Sequence, residues 1–578
     1  MNDLISLFKD DLYNLVNQLK NNDLIDHLNK KNISIDYSSK SKQGDLSTNI
    51  LIVLLKKNLN KQKEIKEYIN NYILNLEYVE KIDIAKVGFI NVFLKKDFLI
   101  QKLKNLINNE INYNFIGKQK INVEFVSANP TGPIHVAHMR GAVLGDVISN
   151  VLNFIGHEVT KEYYVNDSGS QIFILGNSLY KRYCQLFGNK IDLSIEDYPG
   201  EYLIDLAKKI KDSDGNKWIN YKNNDDLNTY FQSQAVKFLL NEIKTDLSLI
   251  NINFDKFTFE SEIISKNIID DVFNLLKEKN LIYEGFLNKP LGDDDVNWKP
   301  RKQLLFRSSH YFDNLDRPFK KENGEWTYFA NDSAYHYDKF IRGYDKLINI
   351  WGADHIGYVP RMNSLLKVFK EQDNYFEIII CQIVRLIKNN QLLKMSKREG
   401  NFITIKEIYN EVGKDALRYS MISTKSETPM DFDMNKVITK NKDNPVFYCQ
   451  YAYARASSIL RNSKKYNKFK NSIKSFDKLD KSTISEFEWI IILKLLSWPY
   501  IIINTAETMQ PNKITNYLED LCYSFHSFWN KGKDDESLRF IDEKNINKTV
   551  TKLIWINAFR NILNQAFEII GIDSPENM

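Results

Sequence analysis

Two short segments carry side chains whose types and spacing suit phosphate chemistry. The first runs Asn129-Pro130-Thr131-Gly132-Pro133-Ile134-His135-Val136-Ala137-His138. Pro130 and Pro133 stiffen a turn, and Gly132 lets the backbone pass close to a ligand. The free N–H groups that open a following helix favour an anion above that turn. His135 and His138, one turn apart, share a helix face and can donate to phosphate oxygens, more strongly as charge moves in a transition state. The second segment, Lys394-Met395-Ser396-Lys397-Arg398, sets two ammonium groups three residues apart in a loop. If it closes only when its charge is needed, its binding energy lowers the barrier and not merely KM. Together the segments describe an enzyme that attacks the α-phosphate of ATP by positioning and electrostatics.

Other chemistries fit less well. A His-x-x-His pair can hold a metal, but no third ligand stands nearby in the chain. An isolated pair ordinarily packs as core or caps; the strand and Gly/Pro turn before it argue for the phosphate reading. Asp293-Asp294-Asp295 is read as a solvated turn.

The elements that must position these groups follow from periodicity. Val123 to Ser127 reads as a buried strand, His135 to Ile155 as a helix and Glu158 to Val165 as a second strand. That is a right-handed βαβ unit of a parallel sheet. A mostly helical, charged stretch from about 185 to 300 reads as an insertion. Strand patterns return at Glu325 to Phe329, Leu347 to Trp351 and Phe376 to Cys381, and Ile387 to Gln391 reads as a β-turn. Before this core, Leu4 to Leu19 and Ile50 to Leu59 have helical periodicity and Ile82 to Leu94 alternates. Gly44 to Asn49 reads as a polar turn with an N-cap at Ser47, Thr48 or Asn49. After about 440 the chain reads as helices at Phe447–Leu460, Ser485–Ile503, Asn516–Phe528 and Val550–Ile570, and Lys531–Glu536 has the composition of a disordered stretch. The expected fold class is α/β: a Rossmann-like parallel-sheet core with an inserted subdomain, an α+β N-terminal domain (1–110), a core at 111–440 and an all-α C-terminal bundle (441–578).

An apolar content of 43% is ordinary for a soluble globular protein, and a formal charge of +5 neither demands nor excludes a nucleic-acid partner. Four scattered cysteines without a CxxC pair argue against zinc ribbons and a disulfide framework. The amino terminus resembles an amphipathic helix more than a signal peptide. Trp489 to Ile503, interrupted by Lys494 and Pro499, is short for a membrane span. The cytoplasm is the expected compartment.

The two segments resemble the HIGH and KMSKS motifs of class I aminoacyl-tRNA synthetases. The longer matches, VEFVSANPTGPIHVAHMRGAVLGD, KEYYVND, YPGEYL, WGADHIGYVPRM, KMSKREGNFITI, DALRY and PVFYCQYAYAR, resemble the bacterial arginyl-tRNA synthetase family. Ala137 stands where the motif has Gly, and Arg398 where the generic loop ends in Ser. The resemblance implies ATP-dependent ligation of L-arginine to tRNA(Arg) through arginyl-adenylate, tRNA being needed before the adenylate forms. It implies catalytic roles for His135, His138, Lys394 and Lys397. Asn129, Pro130, Thr131, Gly132, Pro133, Met395 and Ser396 would bind ATP, with Gly352 and Asp354 as the element that holds its ribose. ATP would bring Mg²⁺, with no dedicated protein cage and no protein-bound zinc. The C-terminal helices would bind the anticodon, the N-terminal domain the outer corner of the tRNA, and the insertion the acceptor end. A monomer is expected, with no DNA or membrane partner.

Amino-acid choice has its own residues. A guanidinium wants carboxylates for paired hydrogen bonds and an aromatic face beside them. Tyr328 and Asp332, four apart, share a face if a helix starts near Phe329, and Glu124 lies in an apolar strand where an unpaired charge is expensive. By the resemblance, Glu124 and Asp332 flank the arginine side chain, Tyr328 lies against it and Asn129 holds its α-amino or carboxylate end. A synthetase for cysteine would need zinc ligands that are missing. A protein that only binds tRNA has no use for the histidines and lysines, and a small-metabolite nucleotidyltransferase has none for the long helical C-terminus.

Overall fold

Strand β1 (Lys120–Glu124) and the helix after it, α1 (Val136–Phe154), set the geometry of everything near the turn. A computed structural model describes residues 3–26, 29–38, 44–57, 59–108, 117–219, 221, 223–287, 300–393, 403–465 and 479–578. The lysine segment 394–398 and Asp293-Asp294-Asp295 lie outside the described residues. The chain divides into two units, Gly117–Ile438 and Met1–Ile116 with Thr439–Met578.

The first unit holds a five-stranded sheet. After β1 and α1 come β2 (Glu158–Val165), α2 (Ser170–Gln185), α3 (Asn224–Leu249), β3 (Lys256–Phe259), α4 (Tyr328–Ile341), β4 (Lys346–Gly352), α5 (Val359–Phe369) and β5 (Phe376–Cys381). Every pairing is parallel, in the order β5-β4-β1-β2-β3. The chain leaves β1 on one side and later returns on the other. The crevice at the carboxyl ends of β1 and β4 is therefore the switch point where such sheets bind ligands. α1 can lie tightly on the sheet because Gly145 faces Phe125: a Cβ there would come within 2.3 Å of the ring. Three antiparallel strands, Ile282–Phe286, Lys302–Phe306 and Arg317–Lys320, form a separate small sheet.

Beyond β5, β6 (Val384–Lys388) and β7 (Gln391–Leu392) form a hairpin, and β6 also pairs with β8 (Met430–Asp433). Asn389 and Asn390, with φ of 52° and 59°, supply the left-handed pair that a tight hairpin turn requires. Arg140 of α1 is buried and donates to the carbonyls of Gln382, Lys425 and Thr428 and to Thr424 Oγ1 at 2.7–3.2 Å. One guanidinium thus ties the helix to the strands that flank the lysine segment.

In the second unit four strands, Ile35–Tyr37, Leu46–Thr48, Val79–Ile84 and Ile90–Leu94, form an antiparallel sheet. The helix Glu486–Thr508 has the length and apolarity of a membrane span. It packs against Leu4–Asn21, Lys96–Ile107, Asn512–Asp534 and Ile546–Ile570, burying Ile491, Leu495 and Trp498. Ser485 and Glu488 form its capping box, and Glu488 also accepts from buried Trp555 Nε1 at 3.1 Å.

The fold class matches the expectation, with local corrections. β1 stops at Glu124 rather than Ser127, because Val126 and Ser127 take φ of 66° and 37° and leave the ladder. Glu325 to Phe329 is no strand: Thr327 caps α4 by accepting the Ala330 N–H, and only Trp326 makes an isolated bridge, to Lys320. The stretch 185–300 is not wholly inserted, since β3 is an edge strand of the core sheet. Gly44 to Asn49 contains the strand Leu46–Thr48, and Lys531 to Glu536 continues the helix that ends at Asp534.

Candidate active site

The turn between β1 and α1 departs from the sequence reading in one respect. His135 is the N-cap of α1, not a residue within it: its Nδ1 accepts the Ala137 N–H at 3.3 Å. Its own backbone N–H donates to His138 Nδ1 at 3.4 Å, and the two rings lie 4.2 Å apart. Both Nδ1 atoms accept, so the neutral rings carry their protons on Nε2. Two imidazole donors at a helix N-terminus suit an anion. The turn is braced by two hydroxyls: Tyr163 donates to the Ala128 carbonyl and Tyr202, of the YPGEYL segment, to that of Thr131, each at 2.7 Å. Asn129 is exposed and donates to Gln171 Oε1 at 2.9 Å. Pro130 is buried, while Thr131, Gly132 and Pro133 are half-buried. Ala137 is exposed at the helix start.

Across the switch point, Gly352 ends β4 and Asp354 lies in the short helical turn Ala353–Tyr358, its carboxylate 80% exposed. A Cβ on Gly352 would come within 2.5 Å of Asp354 Oδ1, so only glycine leaves that carboxylate in place. The structure thus brings the histidine turn and Gly352–Asp354 to one edge of the sheet. Lys394, Met395, Ser396 and Lys397 lie outside the described residues. Their downstream stem is described: His135 bridges Thr404, with Val136 N to Ile403 O at 3.3 Å and Ile405 N to Ile134 O at 3.2 Å.

Beside the turn is a cluster of acidic and aromatic side chains. Glu124 is 7% exposed. Its Oε1 accepts from Ser127 Oγ at 3.0 Å, and its Oε2 pairs with Lys339 Nζ of α4 at 2.5 Å. Lys339, 0% exposed, also donates to Asn349 Oδ1 at 3.2 Å. Asn349 Nδ2 lies 3.0 Å from His336 Nε2, and His336 Nδ1 2.9 Å from the Asp332 carbonyl. Asn349 can only donate through Nδ2 and the carbonyl only accept, so His336 is neutral with its proton on Nδ1. Burial and then Lys339 bring its pKa down to about 4. Asp332 accepts from the Tyr358 hydroxyl. Burial, the largest influence, pushes its carboxyl up to about 7; the Tyr358 bond opposes this, and Glu260 and Glu124 add to the rise. Tyr328 does share the helix face of Asp332, since α4 starts at Tyr328, but its ring is 81% exposed. The aromatic walls nearest the carboxylates are Tyr358, Tyr335 and Tyr164 instead, the last two stacked with centroids 4.1 Å apart.

Sequence reasoning missed Glu260, Lys339, Tyr358 and Tyr164. Glu260 is buried and accepts from Ser168 Oγ at 2.6 Å. It follows Phe257-Thr258-Phe259 at the end of β3, the same strand-end grammar as Glu124, hidden within a supposed insertion. Lys339 lies seven residues after Asp332, two helical turns along one face.

Comparison with known proteins gives the arrangement its family. A family model described as "tRNA synthetases class I (R), catalytic domain" matches residues 101–442. Two more, "Arginyl tRNA synthetase N terminal domain" and "DALR anticodon binding domain", match residues 3–94 and 449–578. The chain belongs to the arginyl-tRNA synthetase family. This synthetase is 38% identical to the arginine–tRNA ligase of Wolbachia pipientis wMel, over 98% of each chain. It is 39% identical to that of Pelagibacter ubique, over 100% of each. The solved arginyl-tRNA synthetases of Thermus thermophilus and Plasmodium falciparum share its fold at 18% and 21% identity, each with a TM-score of 0.74 over 100% of both chains. Its class is that of an aminoacyl-tRNA ligase on a class I core.

Proposed function

We propose that this synthetase activates L-arginine with ATP and transfers the arginyl group to the terminal ribose of tRNA(Arg). One arginine carboxylate oxygen attacks the α-phosphorus, and the bond to pyrophosphate breaks. A ribose hydroxyl then attacks the arginyl carbonyl, and AMP leaves. His135 and His138 donate from Nε2 to phosphate oxygens, and Lys394 and Lys397 meet the departing pyrophosphate. Asn129 to Pro133, Met395 and Ser396 cradle ATP, with Gly352 and Asp354 at its ribose. Mg²⁺ enters as the counter-ion of ATP; the imidazoles and turn amides are phosphate partners, not the oxygen ligands that a hard cation takes.

Glu124, Asp332, Tyr328 and Asn129 receive arginine. The observation that carries this reading is the cluster of buried Glu124 and Glu260 with half-buried Asp332, beside Tyr164, Tyr335 and Tyr358. These three carboxylates outnumber the cations beside them, Lys339 at Glu124 and Arg361 near Asp332, and so favour a cationic side chain over a neutral one. Residues 1–110 act as the added tRNA-contacting domain, 111–440 as the catalytic domain and 441–578 as the anticodon-binding domain. The protein works in the cytoplasm as a monomer. The deciding experiment charges bulk tRNA with each standard amino acid in turn: arginine alone should be esterified. Charging with a different amino acid would overturn the assignment.

A further inference from the structure

Tyr164 lies at the carboxyl end of β2, where its ring stacks on Tyr335 with 24° between the planes. Its hydroxyl oxygen is buried and has no hydrogen-bond partner among the described residues. Its electrostatic surroundings are Glu260, Asp332, Glu124 and Asp167. A buried hydroxyl without a partner costs free energy, and native proteins keep few of them. Here the ring is fixed by its stack while the backbone is fixed by the sheet; Tyr164 N donates to Ser127 Oγ at 3.1 Å. The hydroxyl is therefore held among carboxylates without bonding to one.

That placement matches what a guanidinium needs. A guanidinium carries only donors, and each N–H seeks an acceptor. Carboxylates supply acceptors but also repel one another. A neutral phenol oxygen adds an acceptor without adding charge. We propose that the Tyr164 hydroxyl is a further arginine-contacting group, whose oxygen accepts one guanidinium N–H. This rests on the arginine reading above and adds a specificity residue to it.

Tyr164→Phe keeps the ring stack and removes only the hydroxyl. In steady-state charging, its KM for arginine should rise by about tenfold while its KM for ATP stays within about twofold of the parent's. Its ligand-free melting temperature should equal or exceed the parent's, because an unsatisfied buried group has gone. A purely structural hydroxyl gives the opposite pattern: a lower melting temperature with arginine KM unchanged. That result, or a parallel rise in both KM values, overturns the proposal. Failure of the parent itself to charge tRNA with arginine would count against the arginine reading, and is scored separately.

Discussion

His135 and Thr404 face each other across an antiparallel bridge, flanked by one backbone hydrogen bond on either side. Thr404 is also the N-cap of the helix Ile405–Val412, in a capping box with Glu407. The residue that caps the histidine helix is thus clamped to the one that caps the helix following the lysine segment. Two helix starts share one backbone ladder, so the phosphate turn and one stem of the lysine segment form a single mechanical piece.

Thr404→Ala removes one side of that capping box. Loss of such a cap costs about 1 kcal/mol, and a looser stem should reduce kcat severalfold while KM for arginine stays near the parent's. Urea unfolding and steady-state charging read the two effects separately.

In the proposed phosphate role, His138→Ala deletes a donor aimed at charge that develops in the transition state. A loss of about a hundredfold in kcat, with KM for arginine within about threefold, is expected from tRNA charging. A change in arginine KM alone would remove His138 from the phosphate site.

Lys339→Met leaves Glu124 buried without its cation. Breaking a buried pair from one side typically costs about 3–5 kcal/mol, measurable as a lower urea midpoint. The double variant with Glu124→Gln should recover most of that stability, yet not the arginine affinity.

The proposed role of Asp332 makes arginine binding depend on pH. Its carboxyl stands at about 7 in the folded protein against an ordinary 3.8. Between those values the folded ligand-free protein holds a proton that the unfolded chain has lost. Its stability therefore falls as pH rises through that window. A guanidinium favours the ionised carboxylate and expels the proton. Arginine affinity should rise with pH up to about 7 and then level off. Calorimetry in buffers of different ionisation heat should detect proton release below that point, and Asp332→Asn should abolish it.

Much of the fold could be read in the chain because single features there had single causes. β2 falls on Glu158–Val165 as its alternation indicates, and the C-terminal helices follow their apolar periodicity. Misreadings arose where a tertiary partner outranked local pattern. The apolar run after Glu124 leaves the sheet because Ser127 Oγ is taken up by Tyr164 N and Glu124. His135 became a cap because its imidazole replaces the usual Ser or Asp acceptor. The two carboxylates were visible as oddities: an acid in an apolar strand and an acid opening a helix. Lys339, Tyr164 and Glu260 were not, since only long-range packing brings three remote segments into one cluster.

Val126 and Ser127, bent into the left-handed region two and three residues after Glu124, have a consequence for how this protein can change. A β-branched residue held there costs roughly 1–3 kcal/mol, and glycine would relieve the torsion at once. Glycine would also let the backbone leave the bend more readily, loosening the Ser127 hydroxyl that steadies Glu124 and trading a sharper grip on the guanidinium for a relaxed torsion. Selection for heat resistance alone should drift toward glycine at 126 and blur the choice of amino acid; selection for accurate translation should hold the bend.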